Sequence, residues 1–450
     1  MYLEQAGDNF ILRNSNLRRK VMSNRSTPLP KATVAAVKRK LADLISSLNQ
    51  FLVPYLPLFG RTEVRETAEQ FVGGLLSGIP RKSAEPIAEI FERDRKSFQR
   101  FVGTAPWKDE PIREAMKKDI AQTLGHPDGV INIDPTTFPK QGRSSVGVAR
   151  QWCGRLGKKE NCQVGVFLGY SSPNGRTLID CRLYLPEEWA EDQSLRETAK
   201  IPEEIRFQKK WEIIDELLCR NAGIFPHSWI TSDSEFGRCG PWRDRLIERN
   251  EQYLLEIPKN LNIRPKNNGW FSTRPVKIEK WLSGLSEEDW EVFNVRDTAR
   301  GPLHLKAVKV GVVTVDKDDQ NERHEVLLVT RTLAQKPEFK YFLTSTDTPL
   351  SVLVKVACRR HSIEECFQTA KSDVGMGDYE VRSWVGWNHH MTLSMLALWF
   401  LEKEKASRKT SFFPSDSFSS CFCHDGIDSE SASRFGHDCP AGMQTHETVS

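Results

Sequence analysis

Three carboxylates stand out because the sequence around each one could place it in a shared site. The runs "GVINID" and "HSWITSD" are short and apolar, and they end in an acid at Asp134 and Asp233. A third acid, Glu364, lies in "RRHSIEECFQTAK", which contains no Gly or Pro. Side chains at the ends of neighbouring strands converge at one edge of a sheet. Three converging carboxylates suit Mg²⁺, and two such ions about 4 Å apart support phosphoryl transfer.

The segment Arg359–Lys371 is predicted to be a single helix because it lacks helix breakers. At about 100° per residue, Arg360, Glu364 and Lys371 fall on one stripe of that helix. Glu365 points roughly 100° away from the stripe. The apolar positions that we expect to be buried are Ile363, Cys366, Phe367 and Ala370.

Each of these features also has an ordinary structural interpretation. Glu364 between two cations is typical of surface ion pairs on a helix, which contribute about 0.3–0.5 kcal/mol each. An aspartate at the end of a strand is more often a cap or a turn former. Taken one at a time, these interpretations are favoured. The coincidence of two strand-end acids with a glutamate flanked by cations favours a shared site instead.

The elements around the acids follow the order β-β-β-α-β-α, and "KYFLTSTD" returns to the same sheet. Asp134 and Asp233 are therefore expected on adjacent strands. Residues 259–338, which lie between Asp233 and Glu364 in the chain, are expected to form a separate β-rich lobe. The predicted divisions are a basic disordered arm (1–30), a helical DNA-binding domain (31–124), the first part of an α/β core (125–258), the β-rich insertion (259–338), the second part of the core with the Glu364 helix (339–404) and a disordered Ser-rich tail (405–450).

Composition narrows the functional class only slightly. The net charge of +4 is small, but nine Lys or Arg and no acid lie between Leu12 and Lys40, a pattern that can follow phosphates. A solvated tail is an equally good interpretation. No export signal is visible, the longest apolar run is too short to span a bilayer, and the ten cysteines form no disulfide pattern, so we expect a cytoplasmic protein. No phosphate-loop motif predicts a nucleotide cofactor.

Three segments resemble the catalytic regions of bacterial DDE-type insertion-sequence transposases that have a β-rich insertion before the last acid. They are "INIDPTTFPKQGRSSVGVARQWCGRLGKKENCQVGVFLGY", "ITSDSEFG" and "RRHSIEECFQTAKSDVGMGDYEVRSWVGWNHHMTLSMLALWFL". The last contains the Arg-x₃-Glu-x₆-Lys spacing of that family, with Ala357 at the position of its usual Tyr.

This resemblance implies an RNase H-like (retroviral-integrase-like) mixed sheet and a cut-and-paste transposase. Asp134, Asp233 and Glu364 would be the catalytic and metal-binding residues, holding two Mg²⁺ ions with Mn²⁺ as a substitute. The implied partners are double-stranded DNA with terminal inverted repeats and a target DNA, bound by a homodimer close to the bacterial nucleoid. The implied DNA-binding residues are Arg360, Lys371 and Lys140.

Two alternatives stay open. The chain could be a catalytically impaired, DNA-binding remnant of a transposase, because its tail departs from the family. It could also be an RNase H-like nuclease that does not join strands. The tail further carries residues that could bind zinc, although their spacing is unusual for a structural site; they are Cys421, Cys423, His424, His437 and Cys439.

Overall fold

The computed structural model describes residues 31–154, 156–298, 301–315 and 321–412. The predicted basic arm lies outside these ranges, as do the tail residues that could bind zinc. The predicted tail falls within them only as far as residue 412.

Helices make up the N-terminal part, as the spacing of its apolar residues predicts. In α2 the residues Phe71, Val72, Leu75 and Leu76 recur at helical spacing and are all buried. They belong to one continuous hydrophobic cluster that also includes residues of the sheet, such as Val166. The helices are α1 (Lys31–Leu52), α2 (Thr62–Leu76), α3 (Ala84–Ile90), α4 (Arg95–Gly103) and α5 (Asp109–Leu124).

One mixed sheet organises the rest of the chain. Its strand order is β2-β3-β1-β5-β6-β13-β12-β11-β7-β8, with β4 paired to β3, β10 to β11 and β9 to β7. β1 is antiparallel to β3 and parallel to β5, and β5 is parallel to β6. The strands are β1 (Val130–Pro139), β2 (Ala149–Cys153), β3 (Lys158–Ser172), β4 (Gly175–Leu183), β5 (Trp229–Ser232), β6 (Tyr253–Glu256), β7 (Asn262–Asn267), β8 (Trp270–Phe271), β9 (Val276–Lys277), β10 (Glu291–Thr298), β11 (Gly301–Val315), β12 (Glu322–Thr332) and β13 (Phe339–Thr344).

The remaining helices connect these strands and cover the sheet. A buried face of Ile213, Ile214, Leu217 and Leu218 packs α8 onto the sheet. The helices are α6 (Glu187–Glu191), α7 (Gln193–Ala199), α8 (Lys210–Asn221), α9 (Ser234–Gly237), α10 (Gly240–Glu248), α11 (Ile278–Leu282), α12 (Leu350–Arg360), α13 (Ser362–Asp373) and α14 (Trp384–Phe412).

The predicted insertion is rich in strands but does not form a separate lobe. β12 pairs with β13 from Val326 to Arg331, and β13 pairs in turn with β6. These backbone hydrogen bonds continue the central sheet into the insertion, so the expectation of a detached lobe was wrong. The far end of the sheet has a hydrophobic cluster of its own, which includes Ile263, Ile278 and Leu327.

The C-terminal helices differ from the prediction in two ways. The predicted single helix is divided at His361, so Arg360 ends α12 while Glu364 and Lys371 lie on α13. In addition, α14 continues beyond residue 404 as far as Phe412. Its central stretch is fully buried, and no helix in the described ranges has the length and apolarity needed to cross a membrane.

Asp134 is not the last residue of its strand. Parallel pairing with β5 stops at Ile133 opposite Ser232, where the predicted run ends. β1 nevertheless continues to Pro139, because antiparallel pairing with β3 extends along its whole length. A sequence pattern cannot reveal this extension, since the partner strand lies far along the chain.

Gly237 provides a test of how closely the elements around Asp233 pack. A Cβ atom at this position would lie 1.9 Å from the carbonyl oxygen of Glu256, and neither backbone can retreat without disturbing the sheet. We expect Gly237→Ala to lower the free energy of unfolding by about 1–3 kcal/mol or more, measured by urea denaturation. Gly223→Ala is the matched control, because nothing lies within 4 Å of its Cβ position. Equal stability of the two variants would contradict this packing.

Candidate active site

Asp134, Asp233 and Glu364 line the same cleft, which has a volume of about 1030 Å³. The pairing of Ile133 with Ser232 in adjacent parallel strands brings the two following residues, Asp134 and Asp233, side by side. Glu364 reaches the cleft from α13, whose buried face is formed by the four apolar residues predicted from the sequence. The structure therefore brings together the three acids that the sequence singles out.

Asp233 has two structural roles at once. Its carboxylate caps the short helix α9 by accepting hydrogen bonds from the backbone N–H groups of Glu235 (3.1 Å) and Phe236 (3.4 Å). Burial raises the pKa of Asp233 to about 6, and the charge of Glu235 adds to the increase. Arg360 and the two N–H groups oppose the shift without cancelling it.

Asp134 is a half-buried carboxylate that lines the cleft. Burial raises its pKa well above the ordinary value, and the neighbouring charges of Asp233, Glu364 and Glu256 raise it further. Only Arg360 acts in the opposite direction among the leading causes. Four carboxylates therefore crowd around one guanidinium, an arrangement that favours protonation or a bound cation.

Glu364 and its neighbour Glu365 point in different directions, as the helical geometry predicts. The Glu364 carboxylate accepts a hydrogen bond from Arg360 Nη2 (3.1 Å) and faces His361 Nδ1 (2.9 Å), and it lines the cleft. Glu365 instead forms an ion pair with Arg176 on β4. The prediction that only one of the adjacent glutamates faces the site is confirmed.

The three predicted DNA-binding cations occupy different environments. Arg360 is only 7% exposed, and its Nη2 lies 2.5 Å from Glu256 Oε2, so its guanidinium neutralises carboxylates rather than projecting into solvent. Lys371 lines the cleft and donates a hydrogen bond to Thr136 Oγ1 (2.6 Å).

Lys140 lies away from the acids. Its ammonium group donates to the carbonyl oxygen of Tyr379 (3.0 Å) and sits 3.4 Å from the centre of that ring. Burial lowers the pKa of Lys140 to about 8. Lys140 is not one of the residues that line the cleft in the described part of the chain. Its contact with DNA stays a prediction.

Three residues near the acids were missed by sequence reasoning. Trp152 lines the cleft with 61% of its surface exposed, and Arg238 is an exposed cation in the same wall. Neither position has a distinctive spacing. Glu256 did have a signal, because "QYLLEIP" is a further short apolar run that ends in an acid, like those of Asp134 and Asp233.

The donor chemistry of the cleft fits a hard divalent cation. Its acids present carboxylate oxygens, which Mg²⁺ and Mn²⁺ prefer, and the pKa values of Asp134 and Asp233 are raised by burial and by neighbouring negative charge. In the arrangement described, no three Asp, Glu, His or Cys side chains among the described residues are gathered closely enough to hold a metal. The Glu364 carboxylate faces Arg360 and His361 instead.

Comparison with known proteins identifies sequence relatives of this chain. The family described as DDE superfamily endonuclease matches residues 54–277, a range that contains Asp134 and Asp233. A probable transposase for insertion sequence element IS701 from Microchaete diplosiphon is 26% identical over 275 residues, which cover 59% of this chain and 68% of the relative. The chain belongs to the DDE-type insertion-sequence transposases.

The family implies an RNase H-like fold, and the mixed sheet with Asp134 and Asp233 on adjacent parallel strands agrees with it. Among solved structures, the NurA nuclease from Sulfolobus solfataricus is similar with a TM-score of 0.24 and 10% identity, covering 56% of this chain and 80% of the nuclease. A similarity at this level carries no argument about function or fold.

The raised pKa of Asp233 predicts a pH-dependent gain in stability for Asp233→Asn. Asn retains the cap but removes the charge. A shift from 3.8 to about 6 corresponds to about 3 kcal/mol of penalty on the ionised form. That penalty is complete above pH 6 and absent below the unfolded-state pKa, because the group is then protonated in both states. We expect metal-free Asp233→Asn to unfold at a higher temperature than the wild type at pH 7.

The same comparison at pH 4 should show little difference between the two proteins. Thermal unfolding followed by circular dichroism at both pH values provides the measurement. If the variant is destabilised at pH 7, or stabilised equally at both pH values, then ionised Asp233 does not destabilise the folded protein.

Proposed function

We propose that this transposase cuts DNA at transposon ends and joins the freed ends to a target DNA, with a divalent metal as cofactor. The observation that carries the proposal is the convergence of Asp134, Asp233 and Glu364 on one open cleft. The family and the relative support DNA as the substrate class.

Asp134, Asp233 and Glu364 are the residues that would hold the metal. When bound, Mg²⁺ or Mn²⁺ supplies positive charge to the phosphate and lowers the pKa of a water molecule. The chain itself contributes the geometry, since adjacent parallel strands fix the two aspartates and the α9 cap fixes the orientation of Asp233.

Cations along the cleft would hold the DNA backbone. Lys371 lies beside Thr136 in the cleft wall, and Arg238 is exposed on α9's C-terminal side with no ion pair to any described residue. Arg238 can neutralise a phosphate without leaving a described carboxylate unpaired, and Lys371 adds a second positive charge to the same cleft. Arg360 is less suited to this role, because its guanidinium already bridges Glu256 and Glu364.

The remaining proposals concern the assembly on DNA. We propose that the helices before β1 bind DNA, that the ends carry inverted repeats and that two copies act together, in the cytoplasm at the nucleoid. The basis is family membership and the helical bundle of residues 31–124. Footprinting of each transposon end with the whole chain and with variants in these helices tests the first point.

Separate substitution of the adjacent residues Glu364 and Glu365 provides the main test of the catalytic role of Glu364. Glu364→Gln should reduce cleavage of DNA that carries the transposon ends by at least a hundredfold, because it removes a carboxylate from the cleft. DNA affinity should be retained. Glu365→Gln is the matched control and should cut normally, since Glu365 pairs with Arg176 on β4 and is not among the described residues that line the cleft. Nicking and strand joining are measured separately on labelled DNA with Mg²⁺.

The result also separates the alternatives. Cleavage without joined products would indicate a nuclease rather than a transposase, and binding without cleavage by the wild type would indicate a remnant. If Glu364→Gln cuts normally while Glu365→Gln is inactive, the assignment of the site is wrong.

Arg238 provides a test of the path of the DNA. Arg238→Ala should weaken binding roughly tenfold at low salt and reduce the dependence of affinity on salt by about one ion, because one phosphate contact is lost. Arg206→Ala is a suitable control, since Arg206 is exposed but lines a different cavity. Fluorescence anisotropy at several salt concentrations measures both quantities. Equal effects of the two substitutions would place the DNA elsewhere.

A further inference from the structure

A fourth carboxylate, Glu256, lies behind the three acids of the cleft. It ends β6, the strand next to β5, and its side chain is 22% exposed. Its charge is one of those that raise the pKa of Asp134, so it belongs to the same electrostatic cluster. Glu256 is not among the residues that line the cleft in the described part of the chain. Its Oε2 atom, which faces Arg360, is buried, so this contact is made beneath the surface.

The partner of Glu256 is the buried Arg360. The same nitrogen, Nη2, lies 2.5 Å from Glu256 Oε2 and 3.1 Å from Glu364 Oε1. Arg360 is thus shared between an interior carboxylate and a cleft carboxylate, and the interior contact is the shorter one. Glu364 is more exposed than Glu256, at 39% against 22%, so it is the partner that solvent and ligands can reach.

The shared guanidinium places Arg360 in competition with any cation for Glu364. A buried guanidinium keeps at least one carboxylate partner, since leaving it unpaired is costly. While Glu256 holds Arg360, the Glu364 carboxylate can turn to another cation without leaving Arg360 uncompensated. Without Glu256, the remaining ion pair described for Arg360 is the one with Glu364.

We propose that Glu256 is a positioning residue that retains Arg360 and thereby frees Glu364 to bind a divalent metal. This inference rests on the proposed function, because it assigns Glu364 as a metal ligand. Glu256 does not bind the metal itself; it acts through Arg360. Outer contacts of this kind typically change metal affinity by ten- to a hundredfold.

The test is a double-mutant cycle on metal affinity rather than on activity. Mn²⁺ and Mg²⁺ binding to the whole purified chain is measured by calorimetry for the wild type, Glu256→Gln, Arg360→Gln and the double variant. We expect Glu256→Gln to weaken binding about tenfold, because Arg360 then occupies Glu364. The double variant should recover to within about threefold of the wild type, since the competing cation is gone.

The double variant distinguishes this role from direct ligation. If Glu256 were a metal ligand, Glu256→Gln would weaken binding by the same factor in the presence of Arg360 and in the Arg360→Gln background. That result, or unchanged binding by Glu256→Gln, would overturn the inference. The second outcome is measured on Glu256→Gln alone, so it remains decisive even if Arg360→Gln does not fold.

Two controls complete the design. Glu365→Gln changes the charge by the same amount on the far side of α13 and should leave metal affinity unchanged. Metal-free thermal unfolding confirms that each variant is folded. If the wild type itself binds neither metal, the proposed function fails and the role of Glu256 fails with it. If the wild type binds metal and the double variant is not restored, only the inference about Glu256 fails.

Discussion

The burial of one guanidinium among four carboxylates is the constraint on which the rest of this structure depends. Arg360 contacts Glu256 and Glu364 directly and offsets the charges of Asp134 and Asp233. Without it, the acids would repel one another inside a low-dielectric site. One positive charge faces four carboxylates, and burial together with neighbouring negative charge keeps the pKa values of both aspartates raised. The proposed metal binding would use this excess of carboxylates.

Backbone architecture holds these charges in place. Adjacent parallel strands set the spacing of the two aspartates, and β6 adds Glu256 beside them. The helix α13 can approach β3 because Gly169, on β3, has no side chain. A Cβ atom at Gly169 would lie 3.2 Å from the side chain of Ile363 on α13. Close helix–sheet packing thus determines how far Glu364 reaches into the cleft. Repulsion within the site is resisted by apolar contacts that lie outside it.

Much of this arrangement could be predicted from local sequence, but not all. The meeting of Asp134 and Asp233 in one cleft and the different directions of Glu364 and Glu365 follow from strand and helix periods and are present in the structure, although β1 continues past Asp134 to Pro139. The division of the helix at His361 could not be foreseen, because the segment has no breaker residue. Nor could the burial of Arg360, since that depends on β6, whose pairing brings in residues about a hundred positions away. Sequence spacing thus predicts which residues lie close together, whereas the role of each residue depends on how deeply the fold buries it.

The difference between Arg360 and Arg238 illustrates this last point. Both are arginines close in space to the acids, and the family pattern selects the first. Its guanidinium is nevertheless committed to carboxylates, whereas Arg238 is exposed in the cleft wall with no ion pair to any described residue. A buried arginine that is paired with carboxylates stabilises them but cannot also bind a ligand. An exposed arginine can bind a phosphate. Charge balance inside the site and the proposed DNA contact at its surface therefore involve different residues of the same type.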